Sequence, residues 1–99
     1  MSESNENIVL IGTKPAMNYV VACITFFNNG AKEIVVKARG RAVSRAVDCV
    51  ELLRRAFVKD LTVSEIRIGT DEVEWTEGRK TNVSTIGIVI SKPERRSDE

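Results

Sequence analysis

Strand-like apolar runs and amphipathic helical stretches alternate along the chain, and their periods separate one kind from the other. Ile8-Val9-Leu10-Ile11 is a continuous apolar run closed by Gly12, the pattern of a central strand buried on both faces. After Thr13-Lys14, Pro15 suits the first position of a helix, and Ala16, Val20, Cys23, Ile24 and Phe27 recur at the spacing of one helix face. Asn29-Gly30 closes that helix, with the glycine as its C-cap. Residues 32–38 contain Ile34-Val35-Val36, a second buried strand. A helix then runs from about Arg41 to Phe57. Val43, Ala46, Val47, Val50, Leu53 and Phe57 form its apolar stripe, while Arg45, Asp48, Glu51 and Arg55 lie mostly on the other side, Glu51 and Arg55 spaced for an i, i+4 ion pair. Residues 63–75 are long for a strand, Thr76-Glu77-Gly78-Arg79 reads as a turn, and residues 80–92 form the last strand of a long hairpin. Apolar parity is even at Ile66 and Ile68 but odd at Val73 and Trp75, with Gly69-Thr70 between, which predicts a bulge or a change of face.

The order is therefore βαβαββ, an α/β two-layer sandwich in which two helices cover one face of a four-stranded mixed sheet. Helical crossovers join parallel strands, so the first three strands share a direction and both helix N-termini emerge at one sheet edge. At about 3.3 Å per residue the roughly 13 residues of the third strand span about 43 Å, against about 23 Å for the second. The hairpin tip must project beyond that same edge as an arm.

Composition adds boundaries. Ninety-nine residues, 42% hydrophobic and 29% charged, suit one domain with one core, here residues 7–92, flanked by polar segments at 1–6 and 93–99 expected to be disordered. No apolar run is long enough to span a membrane, and the first residues are polar and acidic where a signal peptide is basic and then apolar. A cytoplasmic location and no membrane partner are the expectation. Cys23 and Cys49 match no metal-ligand spacing and lie among apolar helical residues, so they read as small buried hydrophobes, with no disulfide, metal or cofactor implied. The net charge is only +1, but the terminal segments hold five of the fourteen acids and two of the fifteen cations. Residues 7–92 thus carry thirteen cations against nine acids, +4.

That basicity is concentrated. Lys37-Ala38-Arg39-Gly40-Arg41-Ala42-Val43-Ser44-Arg45 has four cations and no acid, and it leads into a helix whose first N–H groups and positive dipole end favour an anion. A solvated basic turn has the same composition. The topology favours phosphate, because it gathers Lys14, Arg39 with Arg41, and Arg79-Lys80 of the arm from three separate parts of the chain. An enzyme using this turn as a phosphate site is the rival from another class. The chain has no histidine, no extended glycine-rich phosphate loop and no serine or cysteine beside an evident base, so catalysis is not expected.

Three blocks carry a resemblance: Ile11-Gly12-Thr13-Lys14-Pro15-Ala16-Met17-Asn18-Tyr19-Val20, the basic turn continued through Ala46-Val47-Asp48, and Glu65-Ile66-Arg67-Ile68-Gly69 with Val83-Ser84-Thr85-Ile86. In this order they resemble Alba, the small archaeal chromatin proteins, over about residues 7–92. The resemblance implies a fold like the C-terminal domain of translation initiation factor three. It also implies a homodimer, chromosome association and DNA condensation, and binding of double-stranded DNA and RNA with little sequence preference. Lys14, Arg39, Arg41, Arg79 and Lys80 match the family's nucleic-acid contacts, and Asn18, Lys37 and Arg45 lie in the same blocks as further candidates. The resemblance equally allows an RNA-binding subunit of a ribonuclease P-like particle. Where family members commonly carry an acetylated lysine, this chain has Thr13, leaving open whether Lys14 takes that place. Asp71, Glu72, Glu74 and Glu77 weaken the arm's own attraction to DNA. Trp75 reads either as a stacking platform or, more readily, as a hairpin or dimer contact. Phe57 either caps the core or, as the resemblance implies, stands out as a contact between dimers.

Overall fold

The computed structural model describes residues 7–93. The expectations of disorder at 1–6 and at 94–99 lie outside the described residues. The elements run β1 (Asn7–Leu10), α1 (Ala16–Asn28), β2 (Glu33–Arg39), α2 (Ala42–Leu52) with a π-helical last turn (Leu53–Phe57), β3 (Thr62–Glu74), a 3₁₀ turn (Thr76–Gly78) and β4 (Lys80–Ser91). This is the expected βαβαββ order. The sheet order is β1-β2-β4-β3, with β1 parallel to β2 and β4 antiparallel to both β2 and β3. β1, β2 and β3 therefore point the same way.

The apolar positions of both helices meet one face of the sheet. Val20, Cys23 and Phe27 of α1 and Ala46, Cys49 and Val50 of α2, with Leu53, pack on Val9, Ile34, Val36, Ala38, Ile88 and Ile90. Each helix is stopped by a local device. At the end of α1, Gly30 takes φ +99, a left-handed conformation that favours glycine, while the N–H groups of Gly30 and Ala31 donate back to Phe27 O and Phe26 O. At the end of α2 the backbone widens, and Val58 N–H donates to Leu53 O at 2.8 Å, five residues back.

That π turn corrects the helix reading. Each residue of a wider turn advances the helix by less rotation, so Phe57 drops out of the apolar stripe and is 47% exposed instead of capping the core. The buried stripe runs through Cys49, and Val47 is exposed. Glu51 pairs with Arg54 at 2.6 Å, one residue short of the expected Arg55. The two thiols are free and fully buried. Their mutual hydrogen bond and their burial push the Cys23 thiol up, which keeps it neutral.

One strand expectation changes, and the one for β3 holds in one of its two forms, a change of face without a bulge at Gly69-Thr70. β1 is an edge strand buried on one face only: Val9 and Ile11 enter the core, whereas Leu10 is 70% exposed on the side that carries no helix. A four-residue apolar run has no signature that separates these cases, and the sheet order decides between them. In β3 the register shift lies between Val63 and Glu65, not at Gly69-Thr70. From Glu65 to Glu74 the pairing with β4 is unbroken, so Val73 and Trp75 lie on the opposite face from Ile66 and Ile68 because the apolar residues themselves change parity.

Candidate nucleic-acid interface

The register fixes where the basic residues stand. Leu10 lies opposite Lys37, and Ile11 N–H donates to Lys37 O at 2.9 Å, so β1 and β2 end together and their following loops share one edge. β2 pairs with β4 as far as Arg39 opposite Thr85. Beyond that point β3 and β4 pair only with each other, from Thr70 opposite Ser84 to Glu74 opposite Lys80. This two-stranded ribbon is the arm, and it accounts for the long axis of a molecule measuring 61 × 34 × 19 Å.

Lys14 sits in the β1–α1 loop, and the loop is pinned by Tyr19. The tyrosine hydroxyl accepts N–H from Gly12 at 2.9 Å and from Lys14 at 3.1 Å. Gly12 leaves room for this, because a Cβ there would stand 3.2 Å from the same oxygen. Sequence reasoning missed Tyr19. The available signal was its place one turn after Pro15, with an apolar ring and a polar tip that needs a partner. Asn18 is exposed in the same first turn of α1.

The β2–α2 turn is built by Gly40, whose φ of +61 suits glycine and whose N–H donates to Ser84 O at 2.8 Å, bracing the turn against the root of the arm. Arg39 and Arg41 flank it, both exposed. Neither helix has a side-chain N-cap or an acidic residue in its first turn, so both positive dipole ends are uncompensated. Arg45 is half-buried and donates from Nη1 to Gly12 O at 2.7 Å, which ties the two basic loops together. The guanidinium keeps further N–H groups for a ligand. Lys37 projects from the helix-free face of β2.

Arg79 and Lys80 lie at the far end of the arm, beyond a tip where Glu77 (φ 71) and Gly78 (φ 75) both take left-handed conformations. Trp75 closes the tip: its N–H donates to Arg79 O, and its indole Nε1–H donates to Thr81 Oγ1 at 2.9 Å. The hairpin contact expected of Trp75 is present, and the ring is still 55% exposed. Asp71 at the arm's root approaches Arg39, Oδ2 to Nη1 3.8 Å, an exposed pair worth at most about 1 kcal/mol that a phosphate can displace. Thus Lys14, Arg39, Arg41 and Arg45 share one edge, Lys37 borders it, and Arg79 and Lys80 stand apart at the arm's tip.

No helix among the described residues is long and apolar enough to cross a membrane. Known proteins give the arrangement a context. The chain is 47% identical over 93 residues to a protein of Methanocella arvoryzae named DNA/RNA-binding protein Alba, covering 94% of this chain and 97% of that one. Its fold matches Alba from Thermoplasma volcanium with a TM-score of 0.81 at 46% identity, covering 86% and 99% of the two chains. It matches ALBA1 from Trypanosoma brucei with a TM-score of 0.73 at 26% identity, covering 93% and 74%. The sequence profile named Alba fits residues 7–70, from β1 into the root of the arm, and by that fit and these likenesses the chain belongs to the Alba family.

Proposed function

We propose that this chain is a sequence-nonspecific nucleic-acid-binding protein that acts as a homodimer, lays double-stranded DNA or RNA along the basic edge, and so coats or compacts the chromosome in the cytoplasm. The observation that carries the reading is the shared edge: parallel β1 and β2 end together, and Arg45 ties their loops into one basic ridge. Arg39 and Arg41 act as phosphate contacts there, beside an uncapped helix N-terminus, and Lys14 extends the ridge. The name of the Methanocella relative supports both DNA and RNA as partners.

Dimer formation fits the apolar surface left over by the fold. Ile66 and Ile68 stand opposite Ile88 and Ile86 on the helix side of the sheet but lie past the helices, Ile68 being 82% exposed. They offer an apolar surface for a second copy, and Val47 of α2 is exposed as well. The arms carry Asp71, Glu72, Glu74 and Glu77 against Arg79 and Lys80, so they guide the duplex less by charge than the edge does. Half-exposed Phe57, at the opposite end of α2 from the basic edge, is a contact between neighbouring dimers on the nucleic acid.

Salt titration tests the phosphate assignment. Each duplex phosphate contact contributes about 0.9 to the slope of log K against log salt. A dimer doubles each substitution, so Arg41→Ala should lower the slope by roughly 2 and weaken three unrelated duplexes by similar factors. An unchanged slope, or a loss confined to one duplex, overturns the assignment. Crosslinking in cells, followed by weighing recovered DNA against RNA, separates a chromatin role from a ribonucleoprotein role.

A further inference from the structure

The sheet has helices on one face only, and the other face is shaped. Val35 and Val89, Lys37 and Gly87, and Arg39 and Thr85 are directly opposed pairs of β2 and β4 on that face, with Leu10 beside Lys37 and Arg67 beside Gly87. All of these but Val89 line a groove of about 620 Å³, which Asp71 also borders. Its floor carries Leu10, Val35 and Gly87, with Lys37 rising between Leu10 and Gly87 and Arg67 on the far side of Gly87. Arg67 is held by Glu65, with Nε to Oε2 at 2.7 Å, and Arg39 loosely by Asp71, whereas Lys37 has no ion pair among the described residues.

Gly87 stands at the centre of this floor, in a strand flanked on both sides by others. A glycine there weakens the strand, so it calls for a reason. Backbone conformation does not supply one, because Gly87 is not among the positive-φ glycines. Packing does not supply one either, since a Cβ would meet only Val35 Cγ1 at 4.0 Å, an ordinary contact. Gly69 on the same face differs, its Cβ falling 3.2 Å from Thr85 Oγ1. What a side chain at position 87 would do is fill the groove.

We propose that this groove binds unpaired nucleotides, with bases lying on Leu10, Val35 and Gly87 and phosphates meeting Lys37 and Arg39. The proposal deepens the nucleic-acid reading above and rests on it. An apolar floor accepts the faces of bases but cannot read their edges, and only an unpaired base has a free face. The volume lies within the roughly 300–1,000 Å³ of small-ligand sites, so it suits a nucleotide or two and not a duplex. A strand leaving the groove along the arm stays on the face that carries Val73, Thr81 and the half-exposed ring of Trp75. Single strands and duplexes thus use different surfaces of one protein, sharing Arg39.

Fluorescence anisotropy with a labelled 12-nucleotide oligouridylate and a blunt 20-base-pair DNA duplex tests this on the full chain. Gly87→Leu should weaken oligouridylate binding at least tenfold, leave duplex binding within twofold, and keep or raise the melting temperature. Leu10→Ser, a neutral change at an exposed position, should weaken oligouridylate binding several-fold with the same indifference to duplex, and it carries the test if Gly87→Leu fails to fold. Wild-type oligouridylate affinity in Leu10→Ser and in folded Gly87→Leu overturns the proposal. So does an equal loss for duplex and single strand, or a wild-type protein that binds only the duplex. A wild-type protein that binds only oligouridylate overturns instead the duplex reading and leaves the groove standing.

Discussion

The two halves of the β3–β4 hairpin obey different rules. At the root, β4 lies between β2 and β3, and Ile88, Val89 and Ile90 are buried from both faces of the sheet. In the arm, past Gly69 and Thr85, there is no third strand and no helix, and Val73 and Val83 are only half-buried. One continuous register runs from Glu65 into the arm, so pairing itself is the same in both. What differs is burial. Stability therefore resides in the root and the helices, while the arm is held by its ladder, its tip and the Arg39–Asp71 contact.

The largest expected effect lies in the body. Leu53→Ala removes a fully buried side chain and should cost about 2–5 kcal/mol in urea unfolding. By contrast Phe57→Ala and Val73→Ala should each cost less than about 1 kcal/mol, although they also shorten apolar side chains. A Val73 cost as large as that of Leu53 would break the contrast between arm and body.

Tyr19→Phe comes next. It removes the oxygen that accepts N–H from Gly12 and Lys14, groups that water can reach, so about 1 kcal/mol is expected together with faster hydrogen exchange at those two amides. Slow exchange in the variant would mean that Arg45 alone holds the loop.

Glu77→Gly should act only on the arm. Glu77 is the one non-glycine residue with positive φ among those described, and relieving it should stabilise the tip by about 1 kcal/mol or somewhat more. Amide protection should rise in residues 70–84 while the global unfolding midpoint stays put. A shifted midpoint would show that arm and body unfold together.

The smallest effect belongs to the helix-free face of the root. The hydrogen bond from Arg67 holds the exposed Glu65 carboxyl below its ordinary value. A depressed folded value means that the pair's contribution is present above the unfolded glutamate range and fades as pH falls through the folded one. In Arg67→Gln the Glu65 titration followed by NMR should move up toward an ordinary glutamate. An unmoved midpoint would assign the shift to something other than Arg67.

Element type and order were legible because each rests on local period. The 3.6-residue recurrence of Val20, Cys23 and Phe27, the run Ile34-Val35-Val36 and the length of residues 63–75 each survive without neighbours. From these, strand direction, the shared basic edge and the projecting arm follow by chirality and length alone. Family membership was legible too, since three ordered blocks are hard to meet by accident.

Only the tertiary structure decided which strand lies at the edge, which face of each strand the helices cover, and which side chains tie the loops together. The apolar run Ile8–Ile11 reads the same in a central and an edge strand, and the outcome depends on where β4 returns. The π turn before Val58 and the bonds from Tyr19 and Arg45 to the β1–α1 loop join residues by geometry that no spacing encodes. The groove around Gly87 exists only when four strands lie side by side. Local sequence carries propensity and periodicity, because both are set within a turn or two of chain. Burial, loop ties and surface shape belong to contacts between distant residues, and those appear only once the chain has closed on itself.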